Sequence, residues 1–475
     1  MKKYLFLLIT IPSLVSQLTY SQNRLDFPNI SCRVDERAEL MSIIFRLADV
    51  PEYVTNFVPV YTAEIDSIFS KFTEEPVVKM SQDMRRYFHV GYDAVMALAI
   101  NLEIENGNVS LRNDVNPCEI DFRWSCDSIN KYIMLLNDFY QKTEFHSFFE
   151  KHKNFYSAAV TNFQKNVLQT MKFDWYKNFY GEMPIGDFNI ILSIPNGGNN
   201  YGPRVKTIAG TEYPFAIIGC GQTDSLGFPT YNSVTGELMI HEFNHSFCNP
   251  LIEKYLSDLL PKATIFNGLV TDKMRAQAYG PPETYLYELL VRACEIRYGV
   301  YNLGKANNEN FWVKQEQYNG FLWMPELNDA LTFYEQNRDK YPTLRSFMPE
   351  IVKVQNGLNP KRIYKQFVNN QPVIIGTNIK NGAQNVDPFI DKIIVKFDKP
   401  MFTKANGCSY GKKGKEYFIE SSKAEWNEKS KKEWILYVKL QPNTEYSLSF
   451  PARFFFTEES YYNPKETYYL DFKTK

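Results

Sequence analysis

Residues 36–47 (ERAELMSIIFRL) put Leu40, Ile43, Ile44 and Leu47 on one face of a helix, with Glu36, Glu39 and Arg46 largely elsewhere. The same period predicts helices over roughly 90–103, 127–150 and 153–172. The pattern then changes. FNIILSI (188–194) reads as a strand ending in the Gly/Asn-rich stretch 195–202, and PFAIIGC (214–220) reads as another. Helical patterns return over 235–248, 250–260 and 283–298, and again in 325–335 and 342–354. A few strands followed by several helices predict an α+β domain rather than a doubly wound sheet.

From about residue 371 the period becomes two. KIIVKF (392–397), Tyr417–Ile419, WILYVKL (434–440) and EYSLSF (445–450) are short strand patterns separated by turn-forming stretches. About 100 residues of this kind predict a small β-sandwich over 371–475, joined to a mostly helical domain over 22–370 by the linker VNNQPV (368–373).

The N-terminus adds a location. Lys2 and Lys3 precede an apolar run from Leu5 to Val15, and Thr19 and Ser21 are the small residues of a cleavage site after Ser21. Residues 1–21 read as a secretory signal peptide, too short in its apolar run to span a membrane. The expectation is a secreted or periplasmic protein with no membrane insertion. Lys plus Arg total 53 against 54 Asp plus Glu, a balance that gives no field for nucleic acid. The seven cysteines (32, 118, 126, 220, 248, 294 and 408) are too sparse for a disulfide framework; Cys118 and Cys126 are the pair closest in sequence, and no CxxC spacing occurs.

One motif carries chemistry. His241-Glu242-Phe243-Asn244-His245 is an HExxH string, rare by chance in a chain with five histidines. On a helix, residues i and i+4 share a face, so both imidazoles can reach one zinc ion, with Glu242 beside them as general base. The longer motif with a third histidine fails, because position 251 is Leu and position 248 is Cys, while His89, His146 and His152 all lie upstream. A downstream carboxylate is then the expected third ligand. In PPETYLYELLVRACEIRYG (281–299), Pro281 and Pro282 start a helix and Gly299 ends it, with Glu288, Arg292 and Glu295 on its polar face. That face would equally suit a solvent-exposed salt-bridge ladder. Glu288 is the preferred ligand and Glu295 the fallback. Arg292 would orient Glu288 or bind a substrate carbonyl.

Residues from about 30 to 365 resemble secreted bacterial proteins grouped under a domain of unknown function with metallopeptidase-like features. The resemblance lies in VDERAELMSIIFRLA, HEFNHSFCNPL and YLYELLVRA. It implies His241, His245 and Glu288 as ligands and Glu242 as base, and is silent on substrate. Residues 371–475 separately resemble bacterial Ig-like domains through Pro372, Asn381-Gly382-Ala383 and Phe397-Asp398-Lys399-Pro400-Met401. That implies a fold and no activity.

The expectation is therefore a zincin-like, gluzincin-type zinc peptidase acting on a protein or peptide. Its candidate oxyanion donors are Arg292, Tyr298 and Tyr301. The strand Phe188–Ile194 and the stretch 195–202 after it would give an extended peptide an edge to pair with, unless 195–202 is an ordinary solvent loop. The alternative reading is a surface or periplasmic binding protein with a structural or degenerate metal site, whose Ig-like part contacts a glycan or protein.

Overall fold

Three apolar runs, Ile30–Arg33, Phe188–Ser193 and Glu212–Gly219, lie side by side and parallel in the computed structural model of the chain, which describes residues 29–182, 186–303 and 308–475. Phe188–Ser193 is the central strand, and its apolar residues run on rather than alternate because both faces are covered. Beyond Glu212–Gly219 the direction reverses: Asn200–Tyr201 and Arg204–Lys206 pair with it antiparallel and form the sheet edge. The predicted signal peptide, residues 1–21, lies outside the described residues. Among those described, no helix is long and apolar enough to cross a membrane.

The helix Glu36–Leu47 follows the first strand. Its N-cap, Asp35, accepts from the Arg37 amide at 3.1 Å and is flanked by the Arg33 and Arg37 guanidinium groups. Glu39 does not stay on a polar face. It is fully buried, accepting from the Tyr61 hydroxyl at 2.7 Å and the Ile194 amide at 3.0 Å. Burial pushes its carboxyl up to about 8 against the pull of those two donors.

Several elements differ from the sequence pattern for local reasons. The predicted helix over 90–103 covers only Asp93–Ile100; Leu102–Glu105 and Asn108–Leu111 form a hairpin across Asn106-Gly107, both at positive φ. The pattern over 127–150 is two helices, Cys126–Lys142 and Phe145–Lys151, broken at Glu144 with φ 51°. Pro250 does not end a helix. It sits inside Ser233–Lys254, and a new helix starts at Leu256. Gly299 does not end one either: Pro282–Leu303 runs through it, and a Cβ there would lie 2.7 Å from the Trp312 ring. That glycine serves close packing. Cys118 and Cys126 are disulfide-bonded, and the other five cysteines are free.

The last helix, Pro360–Asn370, is followed by strands that form two four-stranded sheets around a second core containing Trp434, Leu436, Leu448 and Phe455. The strand expected at Tyr417–Ile419 lies a few residues later, at Glu420–Trp426, where most side chains are exposed and no alternation marks it. This β-rich part packs on the helix Glu309–Asn319: Phe311 meets Phe456 with ring centroids 5.2 Å apart, Lys314 donates to the Tyr462 hydroxyl at 3.0 Å, and Gln315 donates to Asn463 at 3.0 Å.

Candidate metal centre

The helix Ser233–Lys254 opens on a capping box, with the Asn232 side chain accepting from the Val234 and Thr235 amides. Its inner face is fixed by rings. Phe243 stands edge-on to Phe188 at 4.5 Å, and Phe247 stacks on Tyr180 at 4.1 Å. Tyr180 also donates to buried Asn244 at 2.9 Å. With that face anchored, His241 and His245 project from the other, their ring centroids 5.1 Å apart. The helix Pro282–Leu303 packs alongside and supplies Glu288. The thiols of Cys248 and Cys294 meet between the two helices at 3.7 Å.

His241, His245 and Glu288 each offer one ligand atom within 4.8 Å of the others, a group that could hold a metal ion. His241 Nε2 lies 3.5 Å from Glu288 Oε2, and His245 Nε2 lies 3.5 Å from Oε1. These separations are long for hydrogen bonds. They are close to the ~3.3–3.4 Å that tetrahedral geometry sets between two atoms each 2.0–2.1 Å from one zinc. Glu288 Oε2 is buried without a hydrogen-bond partner among the described residues, so the donor set fits a cation.

The other ring nitrogens face away and are held. His241 Nδ1 is 3.2 Å from Glu295 Oε2, and His245 Nδ1 is 3.2 Å from Asn249 Oδ1. The structure therefore places Glu295 behind His241 rather than among the three converging ligand atoms, the arrangement that orients a ligating imidazole. Arg292 lies behind Glu288, with Nε 3.5 Å from Oε2. Its remaining donors go to Glu316 at 3.2 and 3.3 Å and to the Tyr279 hydroxyl at 3.2 Å, and its plane lies 5.3 Å from the Phe321 ring. Its guanidinium is thus engaged with Glu288, Glu316 and Tyr279. Tyr298 and Tyr301 are not brought to the cluster: the Tyr298 hydroxyl accepts from the Lys172 amide, and Tyr301 donates to Asp174.

The charged groups of the cluster shift one another. Burial alone would raise Glu288, but His241, His245 and Arg292 hold its carboxyl down to about 2. Burial alone would lower His241, yet Glu288 and Glu295 raise it to about 10, while burial lowers His245. Glu242 is buried, and desolvation raises its carboxyl to about 7 despite His241. Stretch 195–202 is not a free loop. Gly197, at φ +60°, folds it back so closely that a Cβ on Gly219 would stand 2.1 Å from the Gly197 carbonyl oxygen. Asn200–Tyr201 then joins the sheet, and Gly202 presses against Glu242.

A cleft of about 710 Å³ opens beside His245 and continues along the helix past Asn249 to Glu253. Asp93 and Asn101 line one side, Phe122 another, and Arg204 the edge strand's side. Asn249 was findable in sequence from its i+4 spacing to His245. Glu316 and Tyr279 carry no local signal, since other segments bring them to Arg292.

Two S-layer structures, those of surface layer protein SbsC domains 1-6 and of S-layer protein rSbsC, are similar to 52% and 50% of this chain at 11% and 13% identity. The TM-score is 0.17 in both cases, too slight a likeness to carry a fold assignment, and the chain spans 34% and 33% of their lengths. No curated protein matches the chain in sequence. A family described as "Domain of unknown function (DUF4932)" matches residues 19–354, well over half of the chain, and the protein belongs to that family.

Proposed function

We propose that the protein is an exported zinc-dependent peptidase of the gluzincin type. The observation that carries this reading is that His241, His245 and Glu288 bring ligand atoms within 4.8 Å of one another, both Nε2 atoms 3.5 Å from the Glu288 carboxylate, with both Nδ1 atoms held from behind and Glu242 next to the first ligand. A parallel sheet with an antiparallel edge strand beside the ligand helix supports a zincin-like fold. The C-terminal pair of sheets supports an Ig-like module that braces the helical part.

His241, His245 and Glu288 would hold the ion, and zinc bound there would supply Lewis acidity toward a scissile carbonyl and its attacking water. Glu242, the residue after the first ligand, would take the proton of that water and deliver it to the leaving amine. Glu295 and Asn249 fix the imidazole planes, and Arg292 fixes Glu288. Elemental analysis of the mature protein beside His241→Ala and Glu288→Ala tests the site. About one zinc per chain in the parent, lost in both variants, is expected. Protein without zinc that was never exposed to chelator would turn the assignment toward a binding protein.

A further inference from the structure

The cleft beside His245 has one wall that the chemistry so far leaves without a role. Residues 118–126 are closed into a loop by the Cys118–Cys126 disulfide, and Cys126 is also the first residue of the helix Cys126–Lys142. The loop is pinned twice more. Arg123 bridges Asp121 at 2.7 Å and Asp93 at 2.8 Å, and Trp124 is 2% exposed with its indole N–H donating to the Ala94 carbonyl at 3.0 Å. Between these anchors Phe122 stands out on the cleft wall, 93% exposed. Each cation around it already has a carboxylate partner: Lys206 has Glu119 at 3.6 Å, Arg204 has Glu253 at 3.5 Å, and Arg123 has both Asp121 and Asp93. These cations therefore offer little to an acidic side chain. An exposed aromatic ring on a loop held at these points, with the Arg123 guanidinium 5.4 Å from its centre, offers a large apolar contact with little ordering entropy left to lose on binding.

We propose that the disulfide-closed loop 118–126 is the substrate-recognising wall of the metal cleft, and that Phe122 takes a large apolar side chain of a polypeptide substrate. This rests on the peptidase reading and adds a substrate class to it. Phe122 is 93% exposed, with the Arg123 guanidinium 5.4 Å from its ring, so its replacement should leave fold and zinc intact. The disulfide acts through Phe122 by fixing its place.

The test uses the zinc-loaded mature protein and a peptide library varied at each position around the cleaved bond. The parent is expected to favour Phe, Leu or Met at one subsite. Phe122→Ala should lower kcat/KM for those peptides roughly tenfold or more relative to peptides with Ala there, and Phe122→Leu should restore most of the preference. Replacing Cys118 and Cys126 together by Ser should raise KM for the same peptides more than it lowers kcat. Cleavage with a subsite preference that Phe122→Ala leaves unchanged, or with no apolar preference, overturns this inference and keeps the peptidase. Zinc-loaded parent that cleaves no peptide overturns both.

Discussion

Gly202 lies against Glu242 so closely that a Cβ at position 202 would stand 2.7 Å from the Glu242 carbonyl oxygen and 2.9 Å from its carboxylate Oε2. The edge of the sheet and the proposed base are thus in direct contact, with no room for a side chain between them. Gly202→Ala should displace either the edge strand or the Glu242 carboxylate. The expected outcome is zinc content unchanged and kcat lowered at least tenfold, since small misplacements of reacting groups are costly. Zinc analysis with single-substrate kinetics checks it.

Glu295 holds the imidazole whose other nitrogen faces Glu288. Glu295→Ala should weaken zinc affinity about 10–100-fold without abolishing binding, whereas Glu288→Ala should abolish it. Competition with a zinc-sensitive chelating dye measures both. Equal, complete loss in the two variants would place Glu295 among the ligands.

Glu39 gives the fold a pH dependence. Its carboxyl is raised by burial from 4.5 to about 8, so the folded protein retains a proton that the unfolded chain releases earlier. The stability this contributes is fully present below about 4.5 and is lost as pH rises toward about 8. Glu39→Gln keeps a neutral group that can accept from Ile194 and pair with Tyr61. Its thermal midpoint should fall less than the parent's between pH 5 and pH 8, as read by calorimetry across that range.

At Gly299 two effects compete. Alanine improves helix propensity by about 1 kcal/mol, but its Cβ would meet the Trp312 ring at 2.7 Å, and overpacking costs typically 1–3 kcal/mol. The ring belongs to the helix Glu309–Asn319 and is itself partly buried, so the clash should win. Gly299→Ala is expected to lower stability by about 1 kcal/mol in chemical denaturation.

What could be read in advance divides by range. The spacing of His241 and His245, the proline start of the Glu288 helix and the period-two strands after 371 are local patterns that backbone geometry enforces. Asn106-Gly107 is an equally local hairpin signal that lies just beyond the apolar run read as a helix over 90–103. Gly299 and Pro250 look like helix punctuation, yet Gly299 makes room for Trp312 and Pro250 is tolerated where the helix packs. Glu39 resembles a surface glutamate until Tyr61 and Ile194, far away in sequence, enclose it. Arg292 likewise could be placed on the right face, but its engagement with Glu316 and Tyr279 could not be read from that placement. Partners brought from other segments leave no periodicity to read.

The proposed role of Glu242 as base at a zinc held by His241, His245 and Glu288 is tested by peptide hydrolysis in the parent and in Glu242→Gln, each at the same measured zinc content. About one zinc per chain is expected in both proteins, with hydrolysis in the parent and a loss of several orders of magnitude in the variant. Hydrolysis undiminished in Glu242→Gln would contradict it.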